Sequence, residues 1–402
     1  MKRPKLALFL FIDAFGWEVL QRHPFFLDGL TVERKSLETI LGYSSACDPS
    51  IISGVMPERH RMWSSFYYSP STSPFRPLRL LRFLPESLFS RGRVRSILSR
   101  IVKRAYGFTG YFQLYNVPFR LLPLFDYAEK YSIWVPGGLR GTPTIFDDLT
   151  AAGVPYAVFT GDGDDSSRFG QLEESLRASP LSFVYAAFGA LDALMHARGN
   201  AGPEVTELVR DFDRRIRQLL ALAETLYDEV SWYVFTDHGM HTVERVCDLQ
   251  AEAATLGLTY GRDYVAFYDS TMLRFWFLNE TARQRLTGWL KNHPMGRILS
   301  EGELRRRGVF FADAMYGELI FLVHSGVLVI PGFMGARRIA GMHGYDPADP
   351  DSAAAISSNR KLPAELACIR EIYGLMRQEA GLGPRIPAAE GGAGAAASRE
   401  DA

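Results

Sequence analysis

The sequence predicts an α/β fold, a mostly parallel sheet sandwiched by helices, and three observations carry that prediction. Uninterrupted apolar runs occur at Leu6–Ile12, Tyr156–Thr160, Phe183–Ala187 and Trp232–Thr236, the pattern of strands buried on both faces. Helical periodicity lies between them, most clearly Val205, Leu208, Val209, Phe212, Ile216, Leu219 and Leu220, a stripe opened by Pro203. The chain has 402 residues, 47% of them hydrophobic, enough to bury a large core. Strands alternating with helices imply a sheet covered on both faces.

Composition narrows the class. Lys and Arg number 45 against 45 Asp and Glu, which excludes a disordered chain and gives no reason to expect a nucleic-acid polymer as partner. Cys47, Cys247 and Cys368 are few, odd in number and far apart, so neither a disulfide framework nor a cysteine zinc site is expected, and a reducing, cytoplasmic setting is.

Taken in order, Met1 to Lys5 followed by Leu6–Ile12 has the basic start and apolar run of a signal peptide. The run is only seven residues, ends at Asp13 and has no small-residue cleavage site after it, so a buried first strand and an intact N-terminus are expected. From Arg76 to Arg104 come nine basic residues (Arg76, Arg79, Arg82, Arg91, Arg93, Arg95, Arg100, Lys103, Arg104) against one acid, Glu86. Val94, Ile97, Leu98, Ile101 and Val102 share a helical face there. Two readings stand: a cap helix with solvated arginines, or a basic amphipathic surface, peripheral to an anionic membrane or touching a polyanionic substrate. Leu319–Val323 and Val327–Pro331 flank His324-Ser325-Gly326 as a hairpin would. A helix over Pro363–Glu379 closes the fold, one domain spanning 1–385, and the Gly-, Ala- and Pro-rich tail over 386–402 is expected to be disordered.

Four motifs carry chemistry. Asp13 follows the first strand, where open α/β sheets bind ligands. Asp192 and His196, at i and i+4, share a helix face and can grip one metal ion. Asp237 and His238 end the Trp232–Thr236 strand, with Gly239 allowing close backbone approach. His343 lies between glycines in Gly341-Met342-His343-Gly344. Alone, each has a bland reading as a cap, a surface pair or a turn. Together they put three Asp and three His on one sheet edge. Two divalent ions there would leave a net charge of one positive, suited to a phosphate or sulfate ester and to activating a bound hydroxyl. An accidental scatter would leave several carboxylates unpaired in an apolar setting.

A nucleophile completes the set. The stretch Gly42-Tyr43-Ser44-Ser45-Ala46-Cys47-Asp48-Pro49-Ser50-Ile51-Ile52-Ser53-Gly54-Val55-Met56-Pro57-Glu58-Arg59-His60, with the four motifs in this order, resembles the alkaline phosphatase superfamily, in its type I phosphodiesterase/nucleotide pyrophosphatase branch. That family places a Ser or Thr nucleophile ten residues before the glycine of a [ST]-G-x-x-P-[ES]-x-H segment. Counting back from Gly54 gives Ser44, with Ser45 the runner-up. Cys47-Asp48-Pro49-Ser50 imitates the sulfatase signature, but Cys47 is seven residues before Gly54 and Ile51 replaces the required arginine. Two departures matter: Ala14 and Arg61 stand where the family usually has glycine.

The resemblance implies an alkaline-phosphatase-like sheet with cap insertions, here 63–130 (basic and helical) and 243–311. It implies two divalent ions, zinc by ligand type with manganese also suited, one held by Asp192, His196 and His343 and the other by Asp13, Asp237, His238 and the Ser44 hydroxyl. It further implies a phosphoester hydrolase of diester or pyrophosphate type, acting through a phosphoserine on a nucleotide, or a glycan- or lipid-linked phosphate. The alternatives are a phosphotransferase or phosphomonoesterase with the same chemistry, and an inactive metal-binding scaffold. His60 is expected to brace the nucleophile loop, His23, His241, His293 and His324 to be surface or packing residues, and Arg59 and Arg61 to be solvated or to reach a substrate anion.

Overall fold

The computed structural model describes residues 2–81, 92–161 and 163–383. Arg82, Glu86 and Arg91 of the basic segment, and the tail over 386–402, lie outside the described residues. The chain begins with β1 (Arg3–Ile12), β2 (Glu33–Leu37), β3 (Tyr156–Phe159), β4 (Phe183–Phe188) and β5 (Tyr227–Phe235). A second region adds β6 (Tyr264–Tyr268), β7 (Met272–Phe277), β8 (Gly296–Ile298) and β9 (Leu319–Val323), before β10 (Ala354–Ser358) returns to the first.

The central sheet has the order β2-β10-β5-β1-β4-β3. The pairs β1–β4, β1–β5 and β3–β4 are parallel, and only β10 runs against its neighbours. β1 shows why an apolar run makes a central strand. Ala7, Phe9 and Phe11 enter one core, while Leu6, Leu8, Leu10 and Ile12 enter the other, because successive side chains point to opposite faces. The expected helical stripe forms one long helix, Pro203–Leu226, with Val205, Val209, Phe212, Ile216, Leu219 and Leu220 buried. The result is the helix-covered, mostly parallel sheet that the sequence predicts.

The second sheet is antiparallel, β6-β7-β9-β8, and shares a third core with the antiparallel strand pair Phe66–Tyr68 and Phe125–Tyr127. A fully buried ion pair ties the two. Arg274 of β7 donates to Asp269 Oδ2 at 2.7 Å, to the Phe66 carbonyl at 2.8 Å and to Ser64 Oγ at 3.0 Å.

Three sequence expectations are corrected. Leu319–Val323 and Val327–Val329 are not a hairpin: the first pairs with β7 and β8, the second runs parallel to Arg245–Cys247. The closing helix is shorter, Ile372–Glu379 after a single turn at Ile369–Glu371. Lys35 Nζ binds the carbonyls of Pro363, Ala364 and Leu366, and the Glu371 carboxylate accepts from the amides of Ala367 and Cys368, so those groups are unavailable to a helix. In the basic helix Gly92–Ala105, Leu98 and Val102 pack inward, but Ile97 and Ile101 face solvent. Arg95 turns inward instead, donating to the carbonyls of Tyr115 and Val117. No helix among the described residues is long and apolar enough to cross a membrane.

Candidate metal centre and nucleophile

The carboxyl ends of β1, β4 and β5 meet at one edge. Asp13 leaves β1, Asp237 and His238 leave β5, and the helix Ala190–Arg198 after β4 carries Asp192 and His196. Gly239 makes the turn possible: a Cβ there would lie 2.1 Å from the Asp351 carbonyl oxygen. His343 arrives from the loop after Gly341–Met342, and Ser44 opens the helix Ser44–Ser53.

These residues converge. His238 Nε2 lies 3.0 Å from Asp237 Oδ2, 3.7 Å from Asp13 Oδ1 and 3.1 Å from Ser44 Oγ. Asp192 Oδ1 lies 3.3 Å from His196 Nε2 and 3.9 Å from His343 Nε2. The imidazoles of His238 and His343 stack at 3.7 Å between centroids. Two groups of potential ligand atoms fall within 4.8 Å of one another, Asp13/Asp237/His238 and Asp192/His238/His343. His238 thus stands between both, while His196 touches the second through Asp192.

The hydrogen bonds orient the imidazoles. His238 Nδ1 donates to the Gly239 carbonyl and His196 Nδ1 to the Gly341 carbonyl, each at 2.9 Å, which turns each Nε2 toward the cluster. Asp13 Oδ1, Asp192 Oδ1, Asp237 Oδ2 and His343 Nδ1 are buried without hydrogen-bond partners. Buried polar atoms left so are rare and costly, and this oxygen and nitrogen set suits a divalent cation.

The electrostatics agree. Burial pushes the Asp13 carboxyl well above its usual range, and the charges of Asp237, Asp192 and Asp48 push it further. Burial opposes charge on His238, but Asp237 outweighs it and raises the imidazole to about 9. Burial would raise Asp237, yet the His238 charge and hydrogen bond hold it below its ordinary value. His343 is driven well below its usual value by burial and by the charges of His238 and His196.

Other residues sort themselves. Ser45 Oγ donates to the Trp63 carbonyl at 3.4 Å rather than facing His238. The Cys47 thiol is buried against Thr39 and the Ile40 carbonyl, with burial raising it well above its normal value, so it offers no sulfatase-type nucleophile. His60 Nε2 meets Ser50 Oγ at 3.0 Å and burial lowers the imidazole to about 3; it braces the nucleophile helix. Arg61 pairs with Asp313. His241, expected as a surface or packing residue, is partly exposed, with Asp349 and Asp351 4.0 and 3.9 Å from its Nε2. The sequence hides that group because its members are about a hundred residues apart.

Fold and site together define a phosphoester hydrolase of alkaline-phosphatase-like architecture with a metal-ligand cluster. Residues 7–346 match the family model "Type I phosphodiesterase / nucleotide pyrophosphatase", and the chain belongs to that family. Among solved structures, it resembles human ectonucleotide pyrophosphatase/phosphodiesterase 5 (TM-score 0.67, 13% identity, 95% of this chain and 96% of that one). It also resembles the murine protein of that name (TM-score 0.64, 14% identity, 94% and 96%), and an inactive variant of the murine protein in complex with AMP (TM-score 0.63, 14% identity, 94% and 96%). No curated protein matches by sequence.

Proposed function

We propose that this hydrolase cleaves a phosphodiester or pyrophosphate with Ser44 as nucleophile, through a phosphoserine, with Asp13, Asp237 and His238 holding one divalent ion and Asp192, His196 and His343 another. The observation that carries the reading is Ser44 Oγ, 3.1 Å from His238 Nε2, beside four buried ligand atoms that have no partner. Divalent ions bound there would stabilise the serine alkoxide and offset charge on the phosphoryl oxygens; zinc suits the donor set, and manganese is second.

The chain's own contribution is placement. Ser44 starts a helix, so its hydroxyl sits at the positive end of the dipole, where a phosphoryl group is favoured. Ser44 Oγ attacks phosphorus in line, its bond to phosphorus forms, and the bond to the leaving oxygen breaks, the proton lost by the Ser44 hydroxyl ending on that leaving oxygen. Water then cleaves the Ser44 Oγ–P bond and returns the serine hydroxyl. The AMP bound to a neighbour makes nucleotide diesters natural first substrates. Lipid- or glycan-linked phosphates share the chemistry, as does transfer to an alcohol.

The test is metal content together with hydrolysis of nitrophenyl phosphodiester and monoester. Two ions per chain and diester turnover, falling at least about a thousandfold in Ser44→Ala, are expected. Unchanged activity in Ser44→Ala would sink the serine mechanism, and bound metal without turnover of any ester would favour the scaffold. Ester formed from an added alcohol would mark a phosphotransferase.

The basic helix supports a second element, peripheral contact with an anionic membrane. Leu80, Ile97 and Ile101 are 81%, 51% and 57% exposed, and Arg93, Arg100 and Arg104 are exposed beside them, a pairing of apolar anchors with cations that suits an acidic bilayer surface. With its three free cysteines, the chain fits the cytoplasmic face. Co-sedimentation with phosphatidylglycerol vesicles, reversed by high salt and lost in Ile97→Asp/Ile101→Asp, is expected; binding to neutral vesicles alone would contradict it.

A further inference from the structure

We infer that Thr271 is a positioning residue for the reaction: its hydroxyl, reaching in from the second sheet, fixes both the residue before the nucleophile and the loop that carries His343. The inference deepens the reading of Ser44 as nucleophile and His343 as metal ligand, and rests on it. It starts from an asymmetry among the imidazoles. His238 and His196 are each oriented by an Nδ1 hydrogen bond to a backbone carbonyl, the usual arrangement for a metal-ligating histidine. His343 has no such bond, its buried Nδ1 being without a hydrogen-bond partner. Its ring is held by packing instead, with His238 stacked on it at 3.7 Å and Tyr43 edge-on at 5.9 Å between centroids.

The backbone beside it is held more firmly. Gly344 has φ of 84°, and a Cβ there would lie 2.7 Å from Tyr43 Cε1 and 3.0 Å from the Gly42 carbonyl oxygen. The loop after His343 is thus pressed against the segment entering the nucleophile helix, an approach that needs glycine. Thr271 joins the two. It lies in the turn between β6 and β7 and is fully buried. Its Oγ1 is 2.8 Å from the Gly344 carbonyl oxygen and 2.8 Å from the Tyr43 hydroxyl, and its amide donates to the Tyr43 hydroxyl at 3.1 Å. Counting protons leaves one arrangement. A carbonyl cannot donate, so the Thr271 hydroxyl gives its proton to Gly344, and Tyr43 donates to Thr271 Oγ1.

The turn itself is anchored on its own sheet. The Thr271 carbonyl accepts from the Val323 amide of β9 at 3.0 Å, so every polar group of Thr271 is engaged. Asp269, two residues earlier, belongs to the buried pair with Arg274. A braced part of the second region therefore sets, through one side chain, the start of the Ser44 helix and the backbone beside His343. Thr271→Val keeps the branched shape but leaves the Gly344 carbonyl without its donor and the Tyr43 hydroxyl without its acceptor. Ser44 and His343 then lose their common reference, and small misplacements of a nucleophile or a ligand cost rate and affinity.

The test uses the full chain loaded with zinc, and reads metal affinity by chelator competition alongside steady-state hydrolysis of a nitrophenyl phosphodiester. In Thr271→Val one of the two ions is expected to bind about tenfold more weakly or worse, with the other unchanged. At saturating zinc, kcat is expected to fall by about tenfold or more with little change in KM. Thr271→Ser, which restores the hydroxyl on a less restricted side chain, should return both to within about threefold of wild type. Tyr43→Phe keeps the ring, breaks the same chain of hydrogen bonds and should reproduce the loss of kcat. The double variant should be no worse than the worse single one, since both remove one linkage. A lowered melting temperature with kcat and both affinities intact, or a serine variant no better than the valine one, marks a merely structural turn and overturns the inference. Should Thr271→Val fail to fold, Tyr43→Phe decides by the same two readings. If wild type binds both ions but turns over no ester, the Ser44 reading fails by itself and the chelator competition alone decides this one.

Discussion

Two buried polar constellations lie in this molecule, and they are built on opposite terms. Arg274 and Asp269 are both fully inaccessible, and their partners close a ring: Arg274 reaches Asp269, Ser64 and the Phe66 carbonyl, while Ser64 donates back to Asp269 Oδ1 at 3.3 Å. Asp13, Asp192, Asp237 and His343 are no less desolvated at the atoms that matter, yet those atoms face only one another and the imidazoles of His238 and His196, with no hydrogen bond that satisfies them. The first constellation is complete within the chain and joins two structural regions. The second, on the proposed reading, is completed by divalent ions. Unsatisfied buried donors and acceptors, rather than the mere presence of Asp and His, distinguish a site from a brace.

The strongest way to break this comparison is to neutralise one member of each. Asp13→Asn should cost at least about a thousandfold in activity along with bound metal, while the metal-free protein melts higher, because one buried carboxyl fewer is crowded against Asp237. Calorimetric melting with and without metal checks both halves. Asp269→Asn should do the reverse, leaving Arg274 uncompensated and destabilising the fold by about 3–5 kcal/mol with the metal stoichiometry of the folded fraction unchanged. If Asp13→Asn melts lower without metal, the unsatisfied cluster is not a stored penalty.

Proton linkage sharpens the same contrast. His238, raised to about 9, contributes stability that is fully present below the unfolded value near 6.5 and lost as pH rises through 9. Asp13 and Asp48 are raised by burial and neighbouring charge, so the folded state holds their protons longer and is destabilised as they ionise. His343 and His60, both lowered, and Asp237, also lowered, finish their contributions below pH 7. The metal-free melting temperature should therefore fall between pH 7 and 9. Metal binding needs neutral His238 and ionised carboxylates, so the stabilisation added by zinc should grow over the same interval. A flat metal-free profile would remove the electrostatic account of the cluster.

The group His241/Asp349/Asp351 lies between the two extremes. Asp351 Oδ1 accepts from Asn200 and Asp349 Oδ1 from the Asp351 amide, and all three residues are partly exposed. Asp349→Asn/Asp351→Asn should leave metal content at that of the unaltered protein, checked by elemental analysis after dialysis.

How much of this was legible in the sequence follows from the same physics. Asp13, Asp237 and His238 could be found because each ends an apolar run, and a strand-end polar residue breaks its pattern visibly. Asp192 and His196 were legible through helical spacing. The grouping of His241 with Asp349 and Asp351 depends on contacts that only the folded chain brings together. Ile97 and Ile101 share a helical face with Leu98 and Val102, but the helix is rotated so that Arg95 finds carbonyl partners inside, which periodicity alone does not decide.

The smallest expected effect concerns the two departures from the family pattern, which the structure brings under one cause. Ala14 has φ of 62° and Arg61, ending the turn Pro57–His60, has φ of 66°, both in the left-handed region where a side chain costs about 1–2 kcal/mol. Glycine relieves that strain at either place but gives back about 0.4–1 kcal/mol through the unfolded chain. At Ala14 the methyl group is fully buried, and losing it costs about 0.8 kcal/mol more, so Ala14→Gly should be close to neutral. At Arg61 the lost pair with Asp313 is about half exposed on both sides and contributes little, so Arg61→Gly should stabilise by about 0.5–1 kcal/mol in denaturant melts. Arg61→Gly destabilising by a similar amount would show that the Asp313 pair and the Phe311 ring beneath the guanidinium outweigh the backbone strain.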